Sequence, residues 1–210
     1  MADLVSDREA MVRQIEQRGI DDPALLAAFR AIPREQFVGP DLADVVYADR
    51  PLPIESGQTI SQPFIVALMI HAAQIGPNDR VLEVGAGSGY AAAVIGQVAG
   101  EVIAIERHGE LARIAAERMR QLGYGNVRIV EGDGTRGWPA AAPFDAILAA
   151  ASGTRVPDTL IDQLKPGGRL VMPIGGQWWG QKLVKLIKQA DGSTAMEHLA
   201  DVQFVPLIEP

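Results

Sequence analysis

Cysteine is absent from the 210 residues. That excludes disulfides, thiolate nucleophiles and Cys-ligated zinc or iron–sulfur clusters. Histidine is scarce, and His71, His108 and His198 form no HxxxH-type pair, so no metal site is expected. Basic residues number 19 against 26 acidic ones, a net charge of −7 without any Lys/Arg cluster, which argues against nucleic acid or an anionic membrane as partner. Residues 1–80 are the more acidic part, with 7 basic and 12 acidic side chains. No long hydrophobic run exists either: the longest, residues 64–73, is interrupted by His71 and too short to span a bilayer. Met1-Ala2-Asp3-Leu4 has no basic or apolar leader character, so a soluble cytoplasmic protein is expected. What is present, 48% hydrophobic residues with 22 Gly and 14 Pro, suits one globular domain with room for an extra helical layer.

Residues 3–18 read as an amphipathic helix ended by Gly19, and Asp21 or Asp22 before Pro23 reads as the start of a second helix that Pro33 stops. Residues 50–62 suggest extended strands and turns, and Pro63 opens a helix over 64–73 with Ser61 or Gln62 near its cap. After Gly76-Pro77 the pattern alternates. Strands are predicted at 81–84, 102–105, 127–130, 144–149 and 169–172, with helices at 91–98 and 110–122. This alternation predicts a Rossmann-like, doubly wound, mostly parallel sheet with helices on both faces. Runs at 182–188 and 196–205, joined at Asp191-Gly192, predict an antiparallel C-terminal hairpin at its edge. The expected division of this single domain is an N-terminal helical and lid extension (1–80), a cofactor-binding core (81–173) and the hairpin (174–210).

The informative loop is Val81-Leu82-Glu83-Val84-Gly85-Ala86-Gly87-Ser88-Gly89-Tyr90. Gly85 and Gly87 allow a tight turn and close ligand approach, and Gly89 opens a helix whose dipole faces that ligand. Tyr90 stands where a dinucleotide fingerprint would want a later glycine, so a pyrophosphate fits less well. Glu106 ends the second strand, 21 residues after Gly85, where a carboxylate accepts hydrogen bonds from ribose hydroxyls. Asp133, between Gly132 and Gly134 after the third strand, can reach an adenine amino group. Each also has a bland reading, a solvated Glu and an Asx-turn Asp; together on successive strand ends they describe a nucleoside site. Glu83 adds negative charge that suits a cationic sulfonium, so S-adenosyl-L-methionine is favoured over NAD.

These residues, with Gln58-Thr59-Ile60-Ser61-Gln62-Pro63, Gly132-Asp133-Gly134, Phe144-Asp145-Ala146-Ile147, the run from Leu160 through Pro166-Gly167-Gly168 to Leu170, and Val202-Gln203-Phe204-Val205-Pro206-Leu207, resemble the protein-L-isoaspartate (D-aspartate) O-methyltransferase family of class I methyltransferases. The resemblance covers nearly the whole chain, and its Thr-Ile-Ser-Gln-Pro and Phe-Val-Pro-Leu stretches are the most specific. It implies methyl transfer to the free α-carboxylate of L-isoaspartyl residues in damaged proteins and peptides, starting repair through a succinimide. It further implies that Ser61 is the active-site serine, that the loop 60–64 closes over donor and acceptor, and that Val205 pairs with the substrate backbone. Candidate cofactor residues are Phe64, Glu83, Gly85, Gly87, Ser88, Gly89, Glu106, Arg107, Asp133 and Gly134. Thr59, Ile60, Ser61 and Val205 are the candidate acceptor residues, and the chain is expected to act as a monomer. One segment, Ala149-Ala150-Ala151-Ser152-Gly153-Thr154, departs from the family's usual Ala-Ala-Pro, which bears on peptide preference.

An ionised carboxylate is already a nucleophile, since its reference pKa is about 4. The missing thiolate and Ser-His-Asp set are therefore no gap, and Ser61 serves as an orienting donor or, on the bland reading, as a helix cap. Two alternatives stay open: a methyltransferase acting on a specific aspartate of a peptide partner, and an isoaspartyl-binding module without turnover. Trp178-Trp179 read as packing or as a peptide-contacting lip.

Overall fold

The structure, a computed structural model, describes residues 3–176 and 180–208; Trp178 and Trp179 lie outside the described residues. Helix α1 (Leu4–Gln17) starts where the Asp3 carboxylate accepts the Ser6 N–H, and buries Met11, Val12 and Ile15. Helix α2 (Pro23–Ala31) starts at Asp22, whose carboxylate accepts from Ala24 and Leu25, with Pro23 in the first turn; both starts follow the sequence signals. A small antiparallel hairpin, β1 (Leu52–Pro53) and β2 (Thr59–Ile60), precedes α3 (Pro63–Ala73).

The alternating part follows as β3 (Arg80–Val84), α4 (Tyr90–Val98), β4 (Glu101–Glu106), α5 (Gly109–Leu122), β5 (Val127–Glu131), β6 (Phe144–Ala149), α6 (Asp158–Asp162), β7 (Leu164–Gly176), β8 (Gly180–Lys188) and β9 (Thr194–Val202). The seven-stranded sheet has the order β5-β4-β3-β6-β7-β8-β9. Its first five strands are parallel, and β8 and β9 join antiparallel. Strand β7 runs far beyond the expected 169–172 because it pairs with β8 from Arg169 to Gly176. Strand β9 stops at Val202, not 205, so Val205 lies past the hairpin. Five-residue α6 gave no periodic signal to read.

Alternation along β3 decides what each face receives. Val81 joins Ala104, Ala146 and Leu148 in a core shared with α1–α4. Leu82 and Val84 join Ile103, Ile105 and Ile147 on the other face, under α6 and the segment around Trp138 and Ala141. Helical cover is therefore lopsided rather than balanced, and the N-terminal helices account for the heavier side. Tyr90, at the start of α4, meets Phe37 and Phe29 edge to face, with centroids 5.5 and 6.3 Å apart. Among the described residues no helix is long and apolar enough to cross a membrane.

The chain leaves β3 towards β4 and β5, then returns to place β6 on the other side. The carboxyl ends of β3 and β6 thus flank a topological switch point, where open α/β sheets bind ligands.

Candidate active site

The β3–α4 turn sits at that point. Gly85, Gly87 and Gly89 all have positive φ (+87°, +53° and +89°), which L side chains adopt only at a cost. At Gly89 a Cβ would also lie 3.0 Å from Met119 Cε of α5. The loop's amides point inward: Gly85 and Ala86 donate to the Ile105 carbonyl, Gly87 to Glu106 and Gly89 to the Ala86 carbonyl. A phosphate nest needs those N–H groups free; this loop offers a smooth backbone surface instead. A cavity of about 1680 Å³ opens over it, larger than a single small-molecule site of roughly 300–1,000 Å³ needs.

Three carboxylates of the cavity are arranged differently. Glu106, 4% exposed, uses Oε2 to accept the Gly87 N–H at 2.8 Å and Oε1 to accept the His108 N–H at 2.9 Å. Each oxygen keeps a second lone pair. Asp133 holds the Thr135 N–H and hydroxyl through Oδ1, at 2.9 and 2.7 Å. Its Oδ2 accepts no hydrogen bond, although Arg136 Nε lies 3.3 Å away. Gly134 is required beside it, since a Cβ there would fall 2.4 Å from Val84 Cγ1. Glu83 is 2% exposed with Oε2 unpartnered. Burial, with the Glu106 charge added, pushes its carboxyl up to about 8. Glu83 and Asp133 line the cavity, each with one buried oxygen that accepts no hydrogen bond, so the acceptor set fits a ligand carrying amine donors, and Glu106 fits a diol.

The opposite wall is built from the first 80 residues and the tail. Ser61 lines the cavity, and its carbonyl accepts from Arg34 Nη2 at 2.9 Å. The expected capping role fails for its hydroxyl. Helix α3 is capped by Asp49, whose Oδ1 accepts the Phe64 N–H at 3.0 Å while Oδ2 accepts from Gln62 Nε2 and Arg18 Nη1. The Ser61 hydroxyl makes no hydrogen bond among the described residues and remains available to the cavity. The β1–β2 turn leans on the glycine loop, since a Cβ on Gly87 would touch Ile54 Cδ1 at 3.4 Å. Arg118 links the two, donating to the Ser88 carbonyl (3.3 Å) and to Glu55 (3.2 Å). On the tail, Gln181 mimics a backbone partner: its Nε2 donates to the Phe204 carbonyl and its Oε1 accepts the Phe204 N–H. The Val205 carbonyl accepts the Ser152 N–H at 2.8 Å, and Leu207 donates back to the Ser152 carbonyl.

A family model described as Protein-L-isoaspartate(D-aspartate) O-methyltransferase (PCMT) matches residues 6–210. The chain belongs to this family. A protein-L-isoaspartate O-methyltransferase of Rhodopseudomonas palustris is 54% identical over 196 residues, 93% of this chain and 90% of that protein. A solved protein-L-isoaspartate O-methyltransferase superposes with a TM-score of 0.87 at 32% identity over 95% of this chain; the match spans 65% of that longer chain. A second solved structure, a putative protein-L-isoaspartate O-methyltransferase from Plasmodium falciparum in complex with S-adenosyl-L-homocysteine, gives 0.81 at 26% identity over 96% of this chain and 98% of that one.

In this isoaspartate methyltransferase fold, Thr59, Ile60, Ser61, Glu83, Gly85, Gly87, Ser88, Glu106, Arg107, Asp133, Gly134 and Val205 line this cavity. Phe64 and Gly89 do not. The Phe64 ring lies under the Arg18 guanidinium, 3.3 Å from its carbon, and Gly89 packs against α5. Sequence reasoning missed Arg34, Asp49, Arg118 and Gln181, because each acts on a backbone group far along the chain.

Proposed function

We propose that this isoaspartate methyltransferase family member methylates the free α-carboxylate of L-isoaspartyl residues in damaged proteins and peptides, beginning repair by way of a succinimide. The observation that carries the reading is that one cavity joins three acidic groups at the glycine loop to the Ser61 hydroxyl and the 203–207 tail. When bound, S-adenosyl-L-methionine supplies an electrophilic methyl group on a sulfonium that departs as a neutral thioether. Glu106 accepts the ribose hydroxyls, Asp133 the adenine amine, and Glu83 lies where positive charge is favoured. Gly85, Gly87, Ser88, Arg107 and Gly134 complete the donor half. The acceptor carboxylate is ionised near neutral pH and needs no base. Ser61 donates a hydrogen bond to one carboxylate oxygen, so that the other attacks in line; alignment is the main catalytic contribution. Thr59, Ile60 and Val205 hold the flanking peptide backbone.

The reading restricted to a special aspartate of one partner loses its motive, since Ser152 carries the tail through Val205 and Leu207 while Gly153 pairs with Pro173 and Gly175 of β7. Labelled methyl transfer to an isoaspartyl peptide, with the matching aspartyl peptide as control, tests the proposal. Label is expected on the isoaspartyl peptide alone, and equal labelling of both, or of neither, overturns it.

A further inference from the structure

Arg34 is 0% exposed and has no carboxylate partner among the described residues. Its Nε donates to the Val46 carbonyl and its Nη2 to the Ser61 carbonyl, both at 2.9 Å. Nη1 has no hydrogen-bond partner, and the guanidinium carbon lies 4.8 Å from the centroid of the Tyr90 ring, directly after the glycine loop. Burial lowers its pKa, with the Tyr90 neighbourhood working against that. The Asp49 carboxylate acts on it through space but forms no ion pair with it, and a buried cation held by two neutral hydrogen bonds is a poor device for stability, because desolvation outweighs them. Its placement serves the site instead. The donor half of the cavity is lined by Glu106 and Asp133, whose carboxylates repel an incoming carboxylate. Arg34 is the cation joined directly to Ser61, and in low dielectric its charge carries past the residue it holds.

We propose that Arg34 is the positioning residue for the acceptor carboxylate: it fixes Ser61 through the Ser61 carbonyl and offsets the acidic donor half. This inference rests on the reading of Ser61 as the group that orients the acceptor. Arg34→Met removes charge and donors at similar length, and Arg34→Lys keeps the charge but cannot serve both carbonyls. For Arg34→Met the KM for an isoaspartyl peptide is expected to rise about tenfold, while the Kd for S-adenosyl-L-homocysteine stays within about twofold. Arg34→Lys should fall between Arg34→Met and the parent, and it carries the test if Arg34→Met fails to fold. Combined with Ser61→Ala, Arg34→Met should raise the peptide KM by clearly less than the product of the two single effects, since the part that acts through the hydroxyl is already gone. An unchanged peptide KM overturns the inference. So does a parallel shift of peptide KM and cofactor Kd, the mark of a merely structural role. Multiplying effects of Ser61→Ala and Arg34→Met overturn the Arg34 inference alone, whereas a Ser61→Ala variant with unchanged peptide kinetics overturns the reading of Ser61 and this inference with it.

Discussion

Glu83 stands in the central strand with its neighbours Val81, Leu82 and Val84 all at most 1% exposed. Its carboxyl, pushed up to about 8 by burial and by Glu106, binds a proton across neutral pH in the ligand-free protein. Because the folded value lies above the ordinary value of 4.5, the folded state takes up more protons than the unfolded one between these two values. Stability from this group is therefore fully present below about pH 4.5 and lost as pH rises through about 8. Glu83→Gln, neutral at every pH, should unfold with the same urea midpoint as the parent near pH 4.5 and become the more stable protein, by on the order of a few kcal/mol, near pH 9. Equal pH profiles for the two proteins would contradict this. Glu83, Glu106 and Asp133 were legible in the sequence because strand ends are placed by hydrophobic alternation and the glycines mark the turns. Arg34 was not: the Ser61 carbonyl it holds is 27 residues away, and no periodicity encodes such a contact.

Helix α3 shows the same boundary between legible and illegible at the next scale. Pro63 correctly announces its first turn, but the cap comes from Asp49, 15 residues upstream of the N–H it accepts. Remote capping follows from tertiary packing and leaves no local Ser, Thr or Asp signal. Asp49→Ala should cost about 1 kcal/mol of unfolding free energy, the usual range for a lost N-cap, and should raise the peptide KM because Gln62 and Phe64 flank Ser61. Urea denaturation and peptide kinetics check both parts; a variant of unchanged stability would show that Asp49 does not cap the helix. The hairpin was likewise legible in its turn and its antiparallel sense, while its end was placed three residues late. Phe204 sits where a strand would continue, yet its partner is the Gln181 side chain, which a residue pattern reads no differently from a ladder.

For the molecule as a whole, the proposed donor half of the cavity belongs to the sheet, and the proposed acceptor half to the first 80 residues and the tail. Deleting residues 203–210 should therefore leave the Kd for S-adenosyl-L-homocysteine within about threefold while abolishing methylation of an isoaspartyl peptide. Calorimetry and a labelling assay separate the two, and loss of cofactor binding would refute the division. The architecture could be read from the alternation of strands and helices, but not the lopsided cover, because the same amphipathic stripe fits either face of a sheet. That cover has a temporal consequence. Phe29 and Phe37 leave the ribosome before Tyr90, and the core they share also contains Val171 and Leu183. At about 5–20 residues per second, the roughly 150 residues from Phe37 to Leu183 take on the order of 10–30 s to make. For that interval the apolar face of the nascent N-terminal helices is covered only in part, so the stretch of synthesis most exposed to aggregation, and to chaperone capture, falls before the hairpin emerges.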